Sequence, residues 1–419
     1  MPAKPNPRRT SSLLAAAALT TLAALTALQP LDASANAPTI KIGVIGPMSG
    51  GSQDFGQSMV NGIRIAAAEI NAAGGYLGRR LELVIKDDKG DPETGLKMSE
   101  ELVGTDKVTA TLGFCNTGVA VRAIPVFQKS QSPLLVPCAA GSPVTQQVPP
   151  DRSYVFRVAP SEEIKAPFIV SDLLKRGWNK VAIFSDATPY GESGKRDVIK
   201  ALAAAGIKPV YATTFPLGTA DLSAEMAAAR GAGANVVVAY TVGPENAVIA
   251  KSRAAVKWNV PLAGPWTLSF PSFIKGAGDA AENTLTAQTF IAESSNERRA
   301  AFLTAYSRMH GKLAVPMAAA QGYDALYLLT YAFIGIRDGK LTGPAIKQQL
   351  ENAQRVYYGV VSTYDRPFSA TSKEAVTPNM LVMGVVRKGA VTFAYPGDAR
   401  RNLFIQRKTQ QSGDAEKLP

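Results

Sequence analysis

Cysteine and histidine are nearly missing from this chain, which has two of the first and one of the second in 419 residues. That scarcity excludes a disulfide-stapled scaffold. It also leaves no His/Cys set for an ordinary zinc site or a histidine relay, unless His310 is involved. Charge is sparse as well, at 19% of residues against 46% hydrophobic, which is a globular and not a disordered balance. Beyond residue 35 no apolar run reaches the ~18 residues of a membrane span. Gly43-Val44-Ile45-Gly46 starts a dinucleotide fingerprint that never completes its G-x-G-x-x-G, and no G-x-S-x-G elbow occurs. His310 ends a charged helical stretch before Gly311, where a histidine has an ordinary structural use. No catalytic constellation and no cofactor site emerge. The length suits two or three domains.

What is present begins with an export signal. Lys4, Arg8 and Arg9 precede an apolar stretch at 13–28, and Ala33-Ser34-Ala35 supplies small residues for cleavage. Cleavage is expected after Ala35, since cutting after Ala37 would leave Pro38 first. Arg8-Arg9 also invites a twin-arginine reading, but Ser11 and Ser12 stand where apolar residues should follow the pair. The signal holds no cysteine for lipid attachment, so the expectation is a periplasmic protein free of an anchor. Losing Lys4, Arg8, Arg9 and Asp32 lowers the net charge of +12 by two. The remaining basic residues are scattered, which argues for a basic surface and against nucleic acid.

From Thr39 the chain alternates β-branched runs with helical patterns. Strands are expected at 40–45, 81–85, 109–113 and 134–136, with helices at about 56–73, 92–103 and 119–128 between them. A second series starts over at 155–158, with helices at 163–175, 192–205, 221–230 and 245–257 and strands at 180–185, 208–214, 235–240 and 262–264. Each series predicts a doubly wound parallel sheet, so two α/β lobes should face each other across a cleft. Helices at 296–309, 317–336 and 344–352 follow, then strands at 380–386 and 391–394, and a polar tail at 400–419.

Ligands of open parallel sheets bind beyond the carboxyl ends of strands, so the loops there are informative. They are 46–56, Phe114-Cys115-Asn116-Thr117-Gly118, and Pro137-Cys138-Ala139-Ala140-Gly141-Ser142 in the first series. The second contributes Thr188-Pro189-Tyr190-Gly191-Glu192, Thr241-Val242-Gly243-Pro244-Glu245 and Gly264-Pro265-Trp266-Thr267. Such loops are small, hydroxylic and aromatic. Free helix-terminal amides near Asn116 suit a carboxylate, and Phe55, Tyr190 and Trp266 suit apolar walls. Any one of these loops could be plain turn chemistry. Several on two facing units point to a small-molecule cleft.

Asp54-Phe55-Gly56 before a helix ending in Ile70-Asn71-Ala72-Ala73-Gly74-Gly75 resembles the branched-chain amino-acid type of ABC-transporter substrate-binding proteins. Lys86-Asp87-Asp88 with Asp91-Pro92, Tyr190-Gly191-Glu192 and Tyr323-Asp324-Ala325 add to the likeness, which covers essentially the whole mature chain. The resemblance implies a type I binding protein that closes like a flytrap, with hinge crossings near 157–161, 288–292 and 357–361. Lobe 1 would hold 36–158 and 291–357, and lobe 2 would hold 159–290 and 358–399.

By position the resemblance makes Asn116 and Thr117 the carboxylate holders, with Cys115 beside them in the ligand-binding set and Cys138, Ala139 and Ala140 in the next loop. Phe55 and Tyr190 become facing walls, and Val242, Gly243 and Trp266 complete the ligand-binding set. Two departures stand out. Amino-acid binders of the family usually carry Ser or Thr at the place of Ala140 and an acid at the place of Trp266, both serving the ligand ammonium. Removing a partner from a buried charge costs roughly 3–5 kcal/mol. Glu245 could compensate or could merely favour its helix N-terminus.

The family's usual disulfide partner is also absent, since Gly90 precedes Asp91-Pro92. That leaves either a Cys115–Cys138 bridge or two buried thiols. The expected function is a monomeric solute-binding subunit of an ABC importer, not an enzyme, that takes a small carboxylate without an ammonium, in the aromatic class by resemblance. The alternatives are an amino-acid binder and a subunit presenting ligand to a membrane sensor.

Overall fold

The computed structural model describes Met1 and residues 39–401. The leader expected at 1–35 lies, apart from Met1, outside the described residues, as does the tail beyond Arg401. The first half reads β1 (Ile40–Gly46), α1 (Gln53–Ala72), β2 (Leu81–Asp87), α2 (Pro92–Glu100), β3 (Ala110–Gly113), α3 (Thr117–Lys129), β4 (Leu134–Val136), a single turn α4 (Pro143–Gln146) and β5 (Val155–Arg157). Its strands form one parallel sheet in the order β2-β1-β3-β4-β5. Ile40, Ile42, Val44 and Ile45 are all fully buried, because helices cover both faces of such a sheet. Asp91 starts α2 by accepting the Thr94 amide at 2.8 Å, with Pro92 following at the first helical position. The helix expected at 92–103 stops at Glu100 and loosens into a wider turn at Glu101–Thr105, closed by the Asp106 amide on the Glu101 carbonyl.

The second half reads α5 (Glu162–Lys175), β6 (Val181–Asp186), α6 (Pro189–Ala204), β7 (Tyr211–Phe215), α7 (Ser223–Gly231), β8 (Val236–Tyr240), α8 (Glu245–Ala255), β9 (Leu262–Gly264), α9 (Pro271–Ala277) and β10 (Leu285–Gln288). Three long helices follow: α10 (Glu297–His310), α11 (Pro316–Gly335) and α12 (Gly343–Glu351). The chain closes with the hairpin β11 (Tyr357–Tyr358) and β12 (Thr363–Tyr364), then β13 (Val382–Arg387), β14 (Ala390–Phe393) and α13 (Pro396–Arg401). The last helix runs into the segment expected to be tail. The second sheet has the order β14-β13-β10-β9-β8-β6-β7.

Five of its strands, β10-β9-β8-β6-β7, run parallel, while β13 and β14 join antiparallel. Of these, β10 has no counterpart among the expected strands, and the strand expected to open the second series at 155–158 joins the first sheet as β5. Lys388 and Gly389, with φ of 49° and 75°, form a two-residue turn whose twist suits a hairpin. The return helices serve the first sheet, because α11 lies along α1 at backbone contact. A Cβ on Gly62 would sit 1.9 Å from the Ala319 carbonyl oxygen. The structure is therefore an α/β fold of two doubly wound sheets, in two lobes. Among the described residues no helix is long and apolar enough to cross a membrane.

Candidate functional site: a cavity between two switch points

In each sheet the strand order reverses once, and ligands of such sheets sit at that crevice. The first reversal lies between β1 and β3 and the second between β6 and β8. The loops leaving those four strands, with those after β4 and β9, meet around a narrow cavity of about 10 Å³, room for little more than one water. Ten sequence-nominated residues line it: Phe55, Cys115, Asn116, Thr117, Cys138, Ala140, Tyr190, Val242, Gly243 and Trp266. Ala139 does not. It packs away from the cavity among Phe114, Val119 and Ile124, and its amide bonds the Phe114 carbonyl at 2.9 Å.

The polar end is built by the start of α3. Asn116 occupies the cap position in extended conformation, yet its side chain does not cap the helix. Its amide nitrogen instead donates to the Ser52 hydroxyl at 3.2 Å. The first-turn amides of α3 are thus left for a ligand, at the positive end of the helix dipole. Thr117 accepts the Gly141 amide at 3.1 Å, which ties the loop after β3 to the loop after β4. Among the described residues no acidic side chain lines the cavity.

The apolar end is aromatic, and it joins the lobes. Phe55 of α1 packs on Phe270 at 4.7 Å between centroids and edge-on to Trp266 at 6.3 Å. Tyr190 closes the opposite side against Tyr240, at 6.0 Å. Three buried polar atoms at the cavity make no aligned hydrogen bond: Asn116 Oδ1, the Tyr190 hydroxyl and the Thr267 hydroxyl. Burial pushes the Tyr190 phenol well up, and the negative Glu162 behind it pushes the same way.

Beneath the second-lobe loops Asp186 acts as a splint, accepting from the Thr188 amide at 3.0 Å and the Val242 amide at 2.7 Å. Glu245 is buried and accepts the Gly218 amide at 3.0 Å, so it braces a loop outside the cavity lining. Of the two alternatives for Cys115 and Cys138, a bridge or two buried thiols, the structure has the second. Both are free buried thiols, and Cys115 points at Met59, 3.8 Å between sulfurs. Burial beside Cys138 raises the Cys115 thiol well above its ordinary value, which keeps it protonated and unreactive.

Sequence reasoning did not single out Ser52, Thr267 and Phe270, which also line the cavity, nor Glu162, Lys165 and Asp186 behind it. Phe270 closes the run Trp266-Thr267-Leu268-Ser269-Phe270, so its nearness to Trp266 was available as a signal. Glu162 and Lys165 gave none. An acid and a lysine three apart at a helix start read as an exposed pair.

Known proteins share this architecture. Residues 39–390 match the family described as periplasmic binding protein. A Leu/Ile/Val-binding protein homolog from Brucella abortus is 30% identical over 215 residues, which is 51% of this chain and 57% of the relative. The match to that relative therefore spans a little over half its length. A solved leucine-binding protein from Thermotoga maritima superposes with a TM-score of 0.76 at 22% identity, covering 86% of this chain and 100% of the other. A solute-binding protein from Rhodopseudomonas palustris, solved in complex with 4-hydroxybenzoate, gives 0.72 at 21% identity, covering 84% and 95%. At these identities the two structures establish the fold alone.

Proposed function

Because this chain belongs to the periplasmic binding proteins, of the type I kind that serves branched-chain amino-acid transporters, we propose that it captures a small carboxylate lacking an ammonium, with an aromatic acid as the best fit. It would deliver that ligand to the permease of an ABC importer as an exported monomer, its leader removed after Ala35. The observation that carries this reading is the lining of the cavity. An uncapped helix start faces Phe55, Trp266, Phe270 and Tyr190, and no carboxylate side chain is among them to receive an amine.

The division of labour follows from the geometry. The α3 amides and the Asn116 side chain would fix the carboxylate on lobe 1 (36–158 and 291–357). Lobe 2 (159–290 and 358–399) would then bring Tyr190 and Trp266 over the ring, and the chain crossings near 157–161, 288–292 and 357–361 would serve as the hinge. Burying the ring in aromatic contact supplies most of the affinity, at ~25 cal/mol per Å² of apolar surface. The Tyr190 and Thr267 hydroxyls, neighbours without an aligned hydrogen bond, offer partners to a ring substituent such as a phenol. Ligand binding would shift the population to the closed form, and that form would dock on the permease.

This fold holds 4-hydroxybenzoate in one neighbour, while the relatives' names point to leucine, isoleucine and valine. The lining favours the first class. Thermal unfolding against benzoate, 4-hydroxybenzoate, phenylacetate, leucine and valine tests the choice. A ligand at a hundredfold its Kd adds about 2.7 kcal/mol. A shift with the amine-free acids alone is the expected result. A shift with leucine or valine would mean that the ammonium has a partner this reading overlooks.

A further inference from the structure

Behind the aromatic wall of lobe 2 lies an ion pair for which the capture mechanism has no use. Glu162 and Lys165, in the first turn of α5, have side chains at 0% exposure, with Lys165 Nζ 2.5 Å from Glu162 Oε1. The same ammonium lies 3.7 Å from the centroid of the Trp266 ring. The second oxygen of Glu162 accepts the Tyr240 hydroxyl at 3.0 Å, and Tyr240 backs Tyr190. The pair thus touches or supports both residues that lobe 2 lays over a ligand. Apart from Glu162, the ammonium has no hydrogen-bond partner for its three donors. Burial lowers the lysine and raises the carboxyl, each opposed by the other's charge.

A buried ion pair is a poor source of stability, because desolvation offsets its attraction. Its place in the cleft wall suggests a different use. We infer that Lys165 is a built-in stand-in for a ligand ammonium, seated on the Trp266 indole and neutralising Glu162, and that it restricts the cavity to acids without an amine. The inference rests on the proposed function and names what enforces it. The other buried acids near the cleft lie outside the cavity lining. Asp186 holds the Thr188 and Val242 amides, Glu245 holds the Gly218 amide, and Asp88 spends one oxygen on the Gly90 amide and leaves the other without a partner behind the lining. An amine entering the cavity would therefore meet no carboxylate in the lining and would face a cation across one indole layer. A carboxylate ligand is attracted by that same cation, since the low dielectric of a closed site strengthens both effects.

Matched ligands that differ only by the α-amine test this: phenylacetate with phenylglycine, and 4-methylpentanoate with leucine, titrated calorimetrically. The wild type should bind the amine-free member of a pair. In Lys165→Met, Glu162 loses its partner, and the affinity ratio should move at least tenfold toward the amine. The neutral double variant E162Q/K165M keeps the shape and loses both charges. It should weaken the acid at least threefold and reverse most of the gain for the amine seen in the single variant. Should the single variant fail to fold, the double alone decides, because wild-type affinity for the acid in it would overturn the inference. So would a single variant that keeps the wild-type ratio. A wild type that prefers the amine members refutes the proposed function itself. A wild type that binds acids, with variants of unaltered preference, refutes only the role of Lys165.

Discussion

At the scale of single residues, no charged side chain among the described residues lines the cavity. Trp266 is 1% exposed and packs between Phe55 and the Lys165 ammonium, so its ring acts both as a wall and as a lid over a cation. Trp266→Glu removes that apolar surface and lets a new carboxylate take up the Lys165 cation in the ligand's place, so affinity for an aromatic acid should fall at least tenfold. Unchanged affinity in a direct titration would remove Trp266 from the site. Asp88 supplies a second prediction, about pH. Wholly buried below the carboxylate loop, it uses one oxygen on the Gly90 amide at 2.8 Å, and its other oxygen has no partner. Burial, with Asp87 and Asp91 nearby, pushes its carboxyl up to about 7. A carboxyl raised in the folded state holds a proton that the unfolded chain has already released, so folding is favoured as pH falls through 7 and levels off near the ordinary value of 3.8. Asp88→Asn should flatten the rise in unfolding free energy between pH 8 and pH 5, measured in urea. A slope equal to that of the wild type would refute the assignment.

At the scale of elements, glycines set how closely helices approach. Gly62 of α1 meets the Ala319 carbonyl, and Gly322 of α11 meets the Met59 carbonyl, where an added Cβ would lie 1.9 and 2.6 Å from oxygen. Gly62→Ala should therefore cost about 1–3 kcal/mol by overpacking, although alanine is the better helix former. A variant as stable as the wild type in denaturant would show that α1 and α11 can separate freely. This contact also marks what local periodicity does not reveal, since only the family resemblance returns 291–357 to lobe 1. Strand alternation and Pro or Gly punctuation located nearly every element from Ile40 to Val136, because those signals are local. That 316–335 packs against 53–72, across the whole second sheet in sequence, depends on side chains that are missing, and periodicity does not register them. The cavity behaved likewise. Loops at strand ends were legible as a class, so Phe55, Asn116 and Trp266 stood out. Glu162 and Lys165 look like any solvated helix start until the fold buries them. Asp324 was legible as a motif but not as a role. It is wholly buried and receives the Val360 and Val361 amides at 2.8 and 2.9 Å and the hydroxyls of Tyr357 and Tyr364 at 3.0 and 3.1 Å, clamping the hairpin β11–β12.

At the scale of the whole molecule, the proposed capture requires that the lobes come apart and close, and a few contacts run from one lobe to the other. Ser142, after β4, donates to Asp197 of α6 at 2.5 Å. Gly118, in the first turn of α3, faces the ring of Pro189 at the start of α6. A Cβ there would lie 3.3 Å from two Pro189 ring carbons, and the third close atom is on Pro189 too. Outside α3's own backbone, the three nearest atoms such a methyl group would meet all lie in the other lobe. Within α3 itself the exchange is favourable, because alanine exceeds glycine as a helix former by up to about 1 kcal/mol, less in a first turn. Gly118→Ala should consequently leave the unfolding of the ligand-free, open protein unchanged or slightly raised, while lowering ligand affinity several-fold by straining the closed state. The two effects have opposite sign, which separates closure from general destabilisation. Scattering in solution gives the third readout: with saturating ligand the wild type should contract, and the variant should contract less at the same ligand concentration. If the variant binds as tightly as the wild type, Pro189 yields without cost and the start of α6 is not a stop for closure. If it binds weakly and also unfolds earlier without ligand, then Gly118 meets Pro189 in the resting protein, and the unliganded state is already closed.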